Sequence, residues 1–223
     1  MAALTFADEL ALLTHDDEGV NKMSASNFGY GLGGALLVEL ALARRVEVAD
    51  GRIVVIDPTP TGHPLVDDAL SRIGGADRAR KPKDWVSALA KGLPERVLDG
   101  LVAAGILTRE DGKVLWVFSR TRYPAPGGHE PPAETEVRAR LDRAIRSSGP
   151  IDPRTAALLA LVRATKFERS AFPDLPRDQV KARLDEVDQA DWAPAAVKKA
   201  IEEMQAAILV AVIIPAATSA AIS

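Results

Sequence analysis

Gly31-Leu-Gly-Gly-Ala-Leu-Leu-Val-Glu-Leu-Ala-Leu-Ala-Arg-Arg45 decides the architecture. Between Ala35 and Ala43 its one polar residue is Glu39. A helix apolar on nearly every side cannot lie on a surface, so this stretch predicts a central helix wrapped by others. Gly31, Gly33 and Gly34 lead into it and let neighbouring backbones approach closely. Arg44 and Arg45 fall in its last turn, where cations suit the negative end of the helix dipole.

Outward from this helix, the chain alternates amphipathic helices with short apolar strands. Thr5–Leu13 reads as a helix with Phe6, Leu10 and Leu13 on one side, followed by a solvated acidic turn, Thr14-His-Asp-Asp-Glu-Gly19. Val46–Ile56 reads as a hairpin turning at Asp50-Gly51. Pro64 opens a helix whose Leu65, Val66, Ala69, Leu70 and Ile73 share a face. Asp84–Ala90 and the segment after Pro94 are further helices, the second ending at Gly105. Ile106–Arg120 reads as a second hairpin that turns at Arg109-Glu-Asp-Gly-Lys113. Beyond the Pro/Gly-rich loop Tyr123–Pro132, Glu134–Arg146 presents Val137, Leu141 and Ile145 on one face, with Arg138, Arg140, Arg143 and Arg146 on a solvated one. Asp152-Pro153 caps a second nearly all-apolar helix, and Arg177–Gln189 is amphipathic through Val180, Leu184 and Val187. The last helix starts near Trp192–Pro194 with Val197, Ile201, Met204 and Ile208 on one face. Met204–Ile222 carries no charge, yet Gln205, Pro215, Thr218 and Ser219 favour a buried core helix over a membrane span. The expected fold is mainly α: one domain over residues 1–223, a central apolar helix bundle ringed by amphipathic helices, with one or two β-hairpins.

Composition narrows function by exclusion. The 223 residues are 47% hydrophobic and 26% charged, ordinary for a globular chain, and the net charge of −3 gives no global field toward nucleic acid. With no cysteine there is no disulfide framework or thiolate chemistry, and the N-terminus lacks a signal-peptide pattern, so a cytoplasmic protein is expected. Gly29-Tyr-Gly-Leu-Gly-Gly34 matches G-x-G-x-x-G, but no buried strand precedes it, so helix packing is the better reading. His15, His63 and His129 lie in loops without partners at a catalytic or metal-ligating spacing. No catalytic residue, metal or cofactor is assigned.

Two features remain. Arg78, Arg80, Lys81 and Lys83 form the sharpest positive charge in the chain, suited to a phosphate or an anionic membrane surface. Val114, Leu115, Trp116, Val117 and Phe118 form a run more apolar than a one-sided strand needs, which calls for cover from its own domain, a partner or a membrane.

A series of stretches then occurs in a telling order: Leu4-Thr-Phe-Ala-Asp-Glu-Leu10, Gly31–Leu42, Asp57-x-x-Pro60-Thr-Gly62 with Asp67, and Asp84-Trp85. Glu95-Arg96-Val97, Gly105-Ile-Leu107, Arg122-Tyr-Pro124 and Asp152-Pro-Arg154 complete it. The chain resembles the Golgi phosphoprotein 3 family, as a bacterial member, over essentially its whole length. The resemblance implies a helical, non-enzymatic peripheral membrane adaptor. Eukaryotic relatives read phosphatidylinositol 4-phosphate and bind the cytosolic tails of glycosyltransferases. Their headgroup pocket is similar in position to Ser24, Gly33, Lys91 and Pro94, of which Lys91 keeps a charge. An anionic headgroup site is therefore expected at Lys81, Lys83, Lys91 and Arg96, with Val114–Phe118 as the family's hairpin for membrane insertion or oligomerisation. Expected partners are anionic phospholipid headgroups, phosphatidylinositol 4-phosphate among them, protein tails and a second copy of the chain, at the inner face of the membrane. The alternative is a soluble oligomeric protein-interaction module with no lipid role.

Overall fold

A computed structural model describes residues 3–114 and 118–219. Its axis is α2 (Ala25–Leu42), whose residues Gly31–Val38 are all buried. Ser24 starts the helix, its Oγ accepting from the Asn27 N–H at 3.3 Å. The start lies well before the apolar stretch, so the glycines sit inside the helix instead of leading into it. Their cost of ~1 kcal/mol each relative to alanine is offset by close packing. A Cβ on Gly33 would stand 2.6 Å from the Val86 carbonyl oxygen, and one on Gly31 would stand 2.9 Å from Thr165 Cγ2. One on Gly34 would overlap Ile208.

These approaches bring α4 (Pro82–Leu89), α7 (Pro153–Ala164) and α10 (Ala195–Ser219) onto α2, together with α1 (Phe6–Thr14), α3 (Pro64–Gly74) and α5 (Leu93–Ala103). α7 is the second helix buried on nearly every side. α6 (Pro132–Arg146), the single turn α8 (Glu168–Ala171) and α9 (Arg177–Gln189) complete the ring. One hydrophobic cluster runs through all of it, so the mainly helical expectation holds. Val197, Ile201, Met204 and Ile208 of α10 face that cluster, and no helix among the described residues is long and apolar enough to cross a membrane.

Two antiparallel strand pairs accompany the helices, the first packed on them through Val46 and Ile53. β1 (Val46–Ala49) and β2 (Arg52–Val55) pair with Val46 opposite Val55. Asp50 at φ 50° and Gly51 at φ 67° make the tight turn that Asp-Gly announces. In the second hairpin, β3 (Glu110–Val114) pairs with β4 (Phe118–Arg122), Val114 opposite Phe118. Glu110–Lys113, expected to turn, is strand. The Asp111 carboxylate accepts from Thr121 Oγ1 across the ladder at 2.8 Å and helps to hold that register. Leu115, Trp116 and Val117 lie outside the described residues.

Two further expectations are corrected. α2 ends at Leu42, before Arg44 and Arg45: Arg44 adopts φ 54° and Arg45 turns back to pair with Asp57. His15 is not solvated. It is buried, its Nδ1 lies 2.7 Å from the Ala11 carbonyl and its ring meets Phe28 edge-on.

Candidate functional site

The basic connection before α4 is less free than its composition suggests. The Ile53 N–H of β2 donates to the Arg80 carbonyl at 2.9 Å, and Arg52 donates to the Ala79 carbonyl at 2.8 Å. The Arg80 guanidinium stacks 5.1 Å from the centre of the Trp85 ring. Lys81 is thereby fixed at the N-cap of α4, with Lys83 in its first turn. Lys91 follows the helix at the junction with α5, where Gly92 takes φ 66°. Lys81, Lys83 and Lys91 are exposed, and none has a carboxylate partner within 4.0 Å among the described residues.

The four expected headgroup residues are spread over the start of α4, the junction after it and α5. At ~1.5 Å rise per residue, α4 separates Lys81 from Lys91 by roughly 15 Å. Arg96, on α5, pairs with Asp68 of α3 at 2.9 Å. The junction nevertheless adjoins α2 closely, because a Cβ on Gly29 would touch Ala90 and Pro94 at 3.6 and 3.9 Å. Gly33 is sealed against Val86 and leaves no room for a basic side chain at that position. Lys81 and Lys83 thus stand at the start of α4, and Lys91 stands alone just beyond its end.

Residue reading alone missed a buried charge hub. Glu39, the lone polar residue of the core stretch, accepts from the Phe6 N–H at 2.7 Å and from Arg154 Nη1 at 3.0 Å. Arg154 of α7 also reaches Glu9 of α1 at 3.3 Å, donates to the Leu4 carbonyl and lies 4.3 Å over the Phe6 ring. Arg140 of α6 meets the same Glu9 at 2.9 Å. Burial pushes the Glu9 carboxyl up while Arg154 and Arg140 pull it down, with burial the stronger. Arg138 and Arg140, expected on a solvated face, are half-buried instead: Arg138 binds Glu134 and the Leu13 carbonyl. The signal was present in Glu39, since a charge on a helix buried all round needs a cation. Which cation was not legible, because its partners lie more than thirty and more than a hundred residues away.

Glu9, Arg140 and Arg154 of this hub line a cleft of about 1280 Å³, walled by His63, Leu65, Arg96, Ile106 and Val137. Two buried nitrogens on it, Nδ1 of His63 and Nε of Arg140, have no hydrogen-bond partner among the described residues. His63 Nε2 stands 3.9 Å from Asp8, but Asp8 is committed to the Thr5 N–H and hydroxyl at 2.8 and 2.7 Å. No serine, threonine, cysteine, lysine or tyrosine lines the cleft among the described residues, so it offers no nucleophile of those types.

Vacuolar protein sorting-associated protein 74 of Eremothecium gossypii is 28% identical over 169 residues, covering 65% of this chain. The match takes in 48% of that relative, so the chain spans about half its length. The family profile described as Golgi phosphoprotein 3 (GPP34) matches residues 6–204, from the first residue of α1 into α10. The chain belongs to the Golgi phosphoprotein 3 (GPP34) family.

Proposed function

We propose that this chain is a non-enzymatic peripheral adaptor that binds anionic phospholipid headgroups through the two basic ends of α4. The observation that carries this reading is the set of three exposed lysines without carboxylate partners among the described residues, Lys81, Lys83 and Lys91, at and just beyond the ends of α4 in a chain of net charge −3. Each lysine near an anionic surface contributes about 1 kcal/mol. Lys91, at the junction that the family resemblance marks, takes a phosphate such as that of phosphatidylinositol 4-phosphate. Lys81 and Lys83 meet neighbouring anionic lipids some 15 Å away along α4. Arg96 joins them when it leaves Asp68, since that exposed pair holds it by ~1 kcal/mol or less.

The β3–β4 hairpin supports the second part of this reading. Its strands pair with each other and with no third strand among the described residues. Val114, Leu115, Trp116, Val117 and Phe118 then insert into the bilayer or pair with a second copy. Protein tails are the cargo such an adaptor carries at the inner face of a membrane.

Vesicle co-sedimentation tests the reading, with neutral, phosphatidylglycerol, cardiolipin and phosphatidylinositol 4-phosphate membranes compared at low salt. Binding to anionic vesicles alone, lowered by Lys91→Glu, is expected. Equal binding to neutral vesicles, or none to any vesicle, would refute it and favour a soluble interaction module.

A further inference from the structure

A second hollow, of about 450 Å³, lies between the end of α7, the single turn α8 and the first two turns of α9. Its size is that of a small-molecule site. Phe172, Leu175, Val180 and Leu184 are mostly buried and turn their remaining edges into it, giving an apolar floor. The rim is basic. Arg177 and Lys181 are four residues apart on α9 and share a face, and Arg169 approaches from α8.

The local charge is unbalanced. Arg163 also lines the hollow, but Asp185 at 2.6 Å and Asp188 at 3.0 Å offset it. Arg169, Arg177 and Lys181 have no ion pair among the described residues, and the one carboxylate in the lining is Glu168. Asp174 and Asp178 are near in sequence but do not line the hollow. With Arg163 and its two aspartates counted, four cations stand against three carboxylates, a local excess of one positive charge in a chain that is negative as a whole.

We propose that this hollow binds a small amphipathic anion as a free monomer: an alkyl or acyl chain on the floor, with a phosphate or carboxylate between Arg169, Arg177 and Lys181. Floor and rim select different halves of such a ligand. A bare anion gains nothing from Phe172 and Leu184, and an apolar cation is repelled at the rim. The site shares no residue with the basic ends of α4, so it does not depend on the reading above.

The test is calorimetric titration of the full chain with butyl, hexyl and octyl phosphate, with inorganic phosphate and octylammonium as controls. Octyl phosphate is expected to bind one per chain. Affinity should rise by up to about fourfold per methylene until the floor is covered, and neither control should bind measurably. Arg177→Gln with Lys181→Gln should weaken octyl phosphate at least tenfold while leaving the melting temperature unchanged, because both side chains are exposed. Lys91→Glu should leave it unchanged, which separates failure of this site from failure of the membrane reading. Octylammonium binding as tightly, affinity independent of chain length, an unaffected double variant, or no binding at all would each overturn the proposal.

Discussion

Arg154 and Lys91 carry the same charge in opposite settings. Arg154 is half-buried, reaches two carboxylates and a carbonyl, and lies over the Phe6 ring, tying α1, α2 and α7 together. Lys91 is exposed at a helix junction and has no carboxylate within reach among the described residues. The difference lies in what the fold delivers to each cation. Carboxylates on α1 and α2 are brought to Arg154 and spend its charge on structure. No carboxylate among the described residues is brought to Lys91, and the proposed function assigns its charge to a headgroup. In this chain basic residues divide by their partners and not by their density along the sequence.

The comparison breaks most visibly at its buried end. Arg154→Met leaves Glu9 short of one cation and Glu39 with none close by, an effect of about 3–5 kcal/mol. For a chain of this size that is a fall of roughly 10 °C in melting temperature, read by calorimetry; a loss below ~1 kcal/mol would make the hub a surface-type pair.

Glu134 sharpens the same contrast, since it is buried with one arginine where Glu9 has two. Burial, opposed by Arg138, raises its carboxyl from the ordinary value of 4.5 to about 7. Between these values the folded chain keeps a proton that the unfolded chain releases. Stability therefore falls as pH rises through the window 4.5 to 7, then levels off above it. Glu134→Gln should flatten that slope and add about 1–3 kcal/mol above pH 7, provided the amide keeps the Arg138 contact. Melting temperatures across pH 4–8 read this, and an unchanged slope would place its origin elsewhere.

At the exposed end, Lys91→Glu reverses one charge and should cost about 2 kcal/mol of vesicle binding, near thirtyfold, with an unchanged melting temperature. Smallest of all, Asp68→Asn frees Arg96 at a stability cost of ~1 kcal/mol or less and should slightly strengthen vesicle binding. A weaker association would show that Arg96 faces away from the membrane.

The fold was legible wherever a local rule governs it. Val180, Leu184 and Val187 announce α9, Asp50-Gly51 announces the first hairpin, and the apolarity of Ala35–Leu42, broken at Glu39 alone, announces the core. Local rules also misled. Asp111-Gly112 has turn chemistry, but cross-strand contacts such as that of Asp111 with Thr121 hold it in a strand. His15 follows a helix and precedes acid, yet tertiary packing against Phe28 buries it. For the candidate site, the lysines of α4 could be named from charge alone. Their separation could not, because it depends on α4 running straight between them, nor could the pairing of Arg96 with an aspartate twenty-eight residues away.

The central claim is that the fold leaves the α4 lysines free for an anionic surface while committing its buried arginines to structure. Its most direct test is vesicle co-sedimentation of the Lys81→Gln, Lys83→Gln, Lys91→Gln triple variant beside wild type, on phosphatidylglycerol vesicles across a salt series. Wild-type binding that weakens steeply with salt, with a loss of more than tenfold in a triple variant that melts like wild type, is the expected result. A triple variant that binds as tightly as wild type, with the same salt dependence, would contradict it.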